Sequence, residues 1–183
     1  VVAVHLGFAA GDFQCLLDSD LFLPEPWAQD QERREKAKVP EEVVFRTKPE
    51  IALSQVERAL GNGLRFSSFT FDELYGRSGP FLDGLSALGQ NFVGEIPCDF
   101  VGWTQPPKIL VKPTPANLRQ KGRKRHFPRL SRQSLPACEV RNLSKHSPSF
   151  TQQKWQPYRI KDGEKGPIVW EVKSAPFYRK QGA

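Results

Sequence analysis

The chain changes character near residue 104, and this change limits what each half can fold into. Residues 1–104 carry 9 Lys and Arg against 16 Asp and Glu, whereas residues 105–183 carry 18 against 4. The basic half opens with QPPKILVKPTPANLRQKGRKRHFPRLSRQSLP, which is too polar and too interrupted by proline to form its own core. We therefore expect the apolar core in residues 1–104 and a basic linker, extended arm or mobile insertion in residues 105–150.

Patterns within residues 1–104 predict an α/β domain. Apolar runs on both sides of the turn-forming AAGD predict a β-hairpin at the start of the chain. One-sided apolar spacing after Pro49 predicts a packed helix, whereas the charged segment WAQDQERREKAK predicts an exposed one. The predicted strands cover 1–9, 13–24, 64–71 and 91–97, and the predicted helices cover 27–38, 49–60 and 80–88.

Ordered structure is expected again in residues 151–183. The segment YRIKDGEKGPIVWEVK has β-type runs on both sides of a turn that contains glycine, which predicts a second hairpin over residues 158–173. We expect Trp155 and Trp170 to pack within this segment, and stacking on an extruded base is the alternative role. The hairpin would belong either to the insertion or to the returning core.

Asp72 is the candidate catalytic side chain. In RFSSFTFDELYG, residues 65–76, an apolar strand ends at Phe71 and is followed by acidic residues. The carboxyl ends of strands are where open α/β sheets carry their sites, but Asp is equally common as the cap of a turn. Glu73 would point away from Asp72 on a regular strand. We expect Gly76 to supply a backbone angle that other residues resist.

Seven basic residues in the second half are candidates for DNA contact. They lie within fourteen residues that contain one aromatic side chain and no acid, which suits a flexible arm on a phosphate backbone. A solvated linker is the alternative. The candidates are Arg119, Lys121, Arg123, Lys124, Arg125, Arg129 and Arg132.

Four charged residues of the first half have structural roles as their first interpretation. We expect Arg33 and Arg34 to form salt bridges on an exposed helix, with DNA phosphate contact as the alternative. Asp18 and Asp20 lie beyond the first hairpin turn, where we expect them to be solvated or to serve the turn.

Three segments, taken in order and spacing, resemble the DDE transposases of bacterial insertion sequences. They are LPEPWAQDQERR at 23–34, PEEVVFRTKPEIAL at 40–53 and the strand end DELYG at 72–76. The resemblance spans about residues 1–98, and WEVKSAPFY at 170–178 is a weaker echo.

The resemblance implies an α/β fold of the RNase H-like type, with a mixed sheet, flanking helices, a basic insertion and a β-hairpin. Three acidic residues of such a core bind two Mg²⁺ ions that act on a DNA phosphodiester. Asp72 would be the second of the three. The first would precede residue 1 and the third, a Glu, would follow residue 183. Residues 1–104 would then be a partial core, and this chain alone would be inactive.

The same resemblance implies the partners and the location. The complete enzyme would cleave DNA at transposon ends and join it to target DNA, as a homodimer on DNA. We expect it in the bacterial cytoplasm and on the nucleoid when bound, with no membrane contact. The alternatives are a DNA-binding remnant without catalysis, or an unrelated α/β domain whose basic tail is an interaction segment.

Overall fold

The computed structural model describes residues 2–111 and 127–180, and the chain divides into two units, Val1–Ile96 and Pro97–Ala183. Five of the basic candidates lie outside the described residues: Arg119, Lys121, Arg123, Lys124 and Arg125. No helix within the described ranges combines the length and the apolar composition needed to span a lipid bilayer.

The first unit is built of two strand pairs and five helices among its described residues. Its elements are β1 (Val2–Ala10), β2 (Phe13–Phe22), α1 (Glu25–Ala28), α2 (Gln31–Lys36), α3 (Lys48–Gly61), β3 (Phe69–Phe71), α4 (Glu73–Gly76), α5 (Gly79–Ala87) and β4 (Phe92–Gly94). Strands β1 and β2 form an antiparallel pair, and β3 and β4 form a parallel pair. The predicted α/β class is confirmed, while a single RNase H-like mixed sheet stays a prediction.

The predicted first hairpin is confirmed, and its turn explains where it bends. Ala10 is paired with Phe13, so only two residues form the loop. The first of them, Gly11, has φ of 58°, a backbone angle that two-residue hairpin loops require and that glycine adopts without strain.

Helix α3 is the packed helix that the sequence predicts. Thr47 caps it: the Thr47 hydroxyl accepts the Glu50 N–H at 3.4 Å, and a Glu50 carboxylate oxygen accepts the Thr47 N–H at 2.7 Å. The core of the unit forms along the buried side of this helix. The buried apolar residues of the unit are Val4, Leu23, Ile51, Val56, Ala59, Phe69, Phe81, Leu82 and Leu85.

Two polar contacts join α3 to the hairpin. The amide Nε2 of Gln55, which is 1% exposed, donates to the carbonyl oxygen of Val4 at 2.8 Å. Arg58 binds the carboxylates of both Asp18 and Asp20, and its distance to Asp18 Oδ2 is 2.8 Å. The expectation that these two aspartates are merely solvated or serve the turn was wrong, because residues two apart on a strand share the face that meets α3.

The predicted exposed helix over residues 27–38 is interrupted. Helix α1 ends at Ala28, with Gln29 as its C-terminal cap. Asp30 is the N-terminal cap of α2, and its carboxylate accepts the Arg33 N–H at 3.0 Å. Arg33 also forms the expected salt bridge, with Asp30, at 3.0 Å. Arg34 does not fit that expectation, because its guanidinium donates to the carbonyl oxygens of Ala28, Pro40 and Glu41. It ties the helix to the following loop.

In its described residues, the second unit contains short strands, two helices and a hairpin. Its elements are β5 (Val101–Trp103), β6 (Ile109–Leu110), β7 (Arg129–Leu130), β8 (Cys138–Glu139), α6 (Val140–His146), α7 (Pro148–Thr151), β9 (Gln156–Gly163), β10 (Gly166–Val172) and β11 (Tyr178–Arg179). Strands β11, β5 and β8 form one sheet, β6 pairs with β7, and β9 pairs with β10. Residues 127–150 thus carry secondary structure that the sequence pattern did not predict, and the assignment of residues 105–150 as an insertion or linker stays a prediction. Two-residue strands give no periodicity that a sequence pattern can detect.

The predicted second hairpin is confirmed by β9 and β10, but its tryptophans are not packed as expected. Trp155 is 59% exposed and Trp170 is 61% exposed. The Lys173 ammonium lies 4.6 Å from the centre of the Trp155 ring, a cation–π contact that leaves the ring open to solvent.

The capping box of α3 generates a stability prediction. Replacing Thr47 by Ala removes the hydroxyl that accepts the Glu50 N–H and donates to the Glu50 carboxylate, while the backbone N–H of residue 47 remains. We expect the free energy of unfolding to fall by about 1 kcal/mol at neutral pH. Thr47 also holds the pKa of Glu50 below its ordinary value of 4.5 by hydrogen bonds to the carboxylate. A lowered folded pKa stabilises the protein above the unfolded pKa, and this contribution is lost as pH falls through the folded value. The difference in free energy of unfolding between the parent and Thr47→Ala should therefore become smaller at acidic pH.

The measurement is urea unfolding at pH 7 and at about pH 3.5, with Thr47→Ser as the control that keeps the hydroxyl. Equal stability of parent and Thr47→Ala at pH 7 would contradict the role given to the box.

Candidate metal-ligand site at the end of strand β3

Asp72 lies at the carboxyl end of β3, as the sequence predicts. β3 runs parallel to β4, with Phe71 opposite Gly94, so Asp72 and Glu95 follow the ends of neighbouring strands. The Glu95 N–H donates to the Phe71 carbonyl oxygen at 3.2 Å, which extends the pairing up to Asp72. The Asp72 side chain is exposed at this edge.

Asp72 is also the N-terminal cap of α4, so both roles left open by the sequence meet in one residue. Its Oδ1 accepts the Leu74 N–H at 3.0 Å, and its backbone is extended, with φ of −84° and ψ of −179°. The cap engages Oδ1 and leaves Oδ2 of the same carboxylate outside it. A carboxylate held in this way has a fixed direction and one oxygen for a further partner.

Glu73 does not share this position. Its carboxylate binds the Arg77 guanidinium at 2.8 Å, one helical turn away on the exposed side of α4. The expectation that Glu73 and Asp72 are not ligands of one ion stays a prediction.

Gly76 ends α4, but not for the reason that the sequence suggested. The glycines with a positive φ are Gly11, Gly63, Gly89 and Gly166 among the described residues, so the expected special backbone angle at Gly76 was wrong. Gly76 is buried against the end of β4, where an added Cβ would overlap the Glu95 carbonyl oxygen and lie 3.0 Å from its carbonyl carbon. Close approach of two backbones explains the glycine.

Aromatic rings pack beneath the site. The Phe71 and Phe81 rings lie 5.2 Å apart at 82°, and the Tyr75 and Phe81 rings lie 5.6 Å apart. Burial, with the negative charge of Asp72, raises the pKa of the Tyr75 hydroxyl above its ordinary value. Tyr75 therefore stays neutral at physiological pH and packs against Phe81.

The donor chemistry of Asp72 fits one ligand of a magnesium ion, because Mg²⁺ prefers carboxylate oxygens. Across residues 2–111 and 127–180, no three His, Cys, Asp or Glu side chains come close enough together to hold a metal ion. Asp72 alone therefore does not make a complete metal site.

The two basic candidates that the structure describes lie in the second unit. Arg129 is half-buried in β7, opposite Leu110, and Arg132 is exposed in the turn that follows. Arg129 is thereby part of a strand pair and not of a free arm.

An apolar cleft of about 620 Å³ in the second unit was missed by sequence reasoning. Trp103 lies in its wall and donates its indole N–H to the Leu135 carbonyl oxygen at 2.9 Å. Four prolines also line it: Pro106, Pro107, Pro136 and Pro148. No acidic residue is among the residues that line the cleft, so its chemistry differs from that of the Asp72 site.

Comparison with known proteins gives one family. The sequence profile of the family described as DDE superfamily endonuclease matches residues 1–167. No curated protein and no solved structure matches the chain. The matched residues include Asp72 and continue through the second unit to the first residues of β10.

The cap at Asp72 generates a prediction about folding that is separate from any chemistry. Without metal, Asp72→Ala should lower the free energy of unfolding by about 0.5–2 kcal/mol, because the Leu74 N–H loses its acceptor. Asp72→Asn should cost less, because Asn also caps helices. Denaturant unfolding of the parent and both variants measures these differences. An Asp72→Ala variant with the same free energy of unfolding as the parent would contradict the role of Asp72 as a cap.

Proposed function

This chain belongs to the DDE superfamily endonucleases, and on that premise we propose that it acts in metal-dependent cleavage and strand transfer of DNA at transposon ends. Members of this superfamily are nucleases that generally use divalent metal ions. The observation that carries the proposal is the carboxylate of Asp72, which is exposed at a strand end, has its Oδ2 outside the cap bond and lies within the matched residues.

Asp72 is proposed as one metal ligand of this site. Asp72 would be one of the carboxylates that hold a pair of Mg²⁺ ions, which would supply Lewis-acid chemistry for activating a water or a 3′ hydroxyl and for stabilising the leaving oxygen at the phosphodiester. The part of this chain in that chemistry is to hold one carboxylate in a fixed direction. The cap on Oδ1 and the rings beneath α4 do this before any metal arrives.

Two ions need more carboxylate oxygens than Asp72 offers. We therefore propose that the remaining ligands of the full site are not among residues 1–183 and that this chain alone does not cleave DNA. The proposed setting is an RNase H-like mixed sheet, with residues 105–150 as a basic insertion. The enzyme is expected to work as a homodimer on transposon-end and target DNA, in the bacterial cytoplasm.

One alternative remains and one is excluded. A DNA-binding protein without catalysis is favoured by the same single carboxylate, because one ligand does not hold a metal pair. The family match contradicts the other alternative, an unrelated α/β domain with a basic tail.

Contact with DNA phosphates is proposed for the basic residues 119–132. The charge density of this segment carries the proposal, since Lys and Arg gain affinity by releasing counterions from phosphates. The exposure of Trp155 and Trp170 removes the packing interpretation, and stacking on an extruded base stays a hypothesis for them.

The metal role of Asp72 gives the first functional prediction. In the full-length protein, Asp72→Asn should abolish Mg²⁺-dependent nicking of transposon-end DNA while the fold stays nearly as stable as the parent. The amide keeps the cap but loses the negative charge that a metal ligand needs. The matched control is Glu73→Gln, which changes the neighbouring carboxylate and should leave nicking in place.

Nicking by Asp72→Asn at the parent rate would sink the assignment of Asp72. The purified 183-residue chain belongs in the same assay. Mg²⁺-dependent cleavage by this chain, lost on Asp72→Ala, would mean that the other ligands lie within it.

The basic segment gives a second functional prediction. Replacing Arg123, Lys124 and Arg125 by Ala should weaken binding to unrelated DNA sequences about equally. The slope of log K against log salt should decrease by up to roughly three, at about 0.9 per lost phosphate contact. Replacing Lys36 and Lys38, in the acidic unit, is the control and should leave the slope unchanged. An unaltered slope in the triple variant would identify the segment as a solvated linker.

A further inference from the structure

Gly76 is the point at which α4 meets the end of β4. It is buried, and a Cβ built on it would overlap the carbonyl oxygen of Glu95. The Ile96 side chain also lies close, with Cγ2 at 3.5 Å from the position of that Cβ. The contact is therefore between two backbones, and neither can move aside as the end of a flexible side chain can.

The same short helix carries Asp72 at its other end. The Leu74 N–H donates to Asp72 Oδ1, and the Gly76 N–H donates to the Asp72 carbonyl oxygen at 3.0 Å. The Glu95 N–H in turn donates to the Phe71 carbonyl oxygen. These bonds and the Gly76 contact form a closed ring of contacts. The ring runs from the end of β3 through the Asp72 cap and the single turn of α4 to the end of β4, and the Glu95 N–H bond leads back to β3. A displacement at Gly76 is therefore transmitted to the cap.

Helix formation does not explain this glycine, because Ala is the better helix former. Gly84 in α5 shows the contrast. A Cβ there would meet the side chain of Leu53, whose Cγ lies 3.2 Å away and whose end can rotate. Ala at position 84 thus perturbs packing that adapts, whereas Ala at position 76 displaces backbone.

We propose that Gly76 is a positioning residue for Asp72: its missing side chain lets α4 seat against Glu95 and so sets the direction of the Asp72 carboxylate. The part of this proposal that concerns catalysis rests on the metal role proposed for Asp72. The part that concerns geometry does not, because the ring of contacts exists without metal.

The test compares Gly76→Ala with Gly84→Ala in the full-length protein, with Asp72→Ala as the reference. The first readout is amide hydrogen exchange of Leu74 without metal, measured by NMR. Gly76→Ala should increase the exchange rate of the Leu74 amide at least about tenfold beyond the increase that the loss of global stability explains. Gly84→Ala should produce no such additional increase. The second readout is nicking as a function of Mg²⁺ concentration.

In the nicking assay, Gly76→Ala should lower the rate on the order of 10²-fold, the typical cost of an ångström of misplacement. It should also raise the Mg²⁺ concentration needed for half-maximal rate. A merely destabilised protein loses rate in proportion to its unfolded fraction and keeps its Mg²⁺ requirement. Gly84→Ala should behave in that second way.

Ile96→Ala covers the case in which Gly76→Ala does not fold. It removes the side chain that packs beside the Gly76–Glu95 contact without adding atoms, and it should change Leu74 exchange and the Mg²⁺ requirement in the same directions. One outcome overturns the proposal for Gly76 and leaves the metal role standing. In it, Asp72→Ala is inactive, while Leu74 exchange and the Mg²⁺ requirement of every other folded variant change no more than those of Gly84→Ala. If Asp72→Ala nicks like the parent, the metal role fails, and faster Leu74 exchange in Gly76→Ala still supports the geometric coupling.

Discussion

The first unit depends on one packing contact, that of α3 against the β1–β2 hairpin. Two-stranded hairpins are marginal in water unless something covers a face. Here Ile51 and Val56 supply buried apolar surface, and Gln55 reaches the Val4 carbonyl from within the core. The amide Oε1 of Gln55 has no hydrogen-bond partner among the described residues, a cost that the surrounding burial must offset. Helix α5 also packs against α3, and the β3–β4 pair contacts α4.

The candidate site is held in place by backbone rather than by a network of side chains. Asp72 takes its direction from the Leu74 N–H, and α4 takes its position from Gly76 against Glu95. The neighbouring carboxylate of Glu73 binds the Arg77 guanidinium in the same helical turn.

Local signals in the sequence predicted the parts whose cause is local. Gly11 lies in the predicted first hairpin turn, and Pro49 lies in the first turn of the predicted helix α3. The position of Asp72 at a strand end was predicted correctly, because both the strand end and the cap depend on residues next to it in the sequence. The contacts that were missed join distant residues: Arg58 meets carboxylates 38 and 40 positions earlier in the chain. The reason for Gly76 was missed likewise, because only the fold brings Glu95 against it.

The second hairpin has a consequence for how this protein behaves at high concentration. Both β9 and β10 have one edge without a strand partner among the described residues, and Tyr158, Ile168 and Trp170 are exposed on the pair. An open edge with apolar side chains is a template on which further strands assemble, the first step of edge-to-edge aggregation. Charged side chains near the hairpin turn, among them Lys161 and Lys165, are of the kind that opposes such pairing of edges. A test of the proposed DNA contact at high protein concentration must therefore separate a loss of DNA binding from association of the chains.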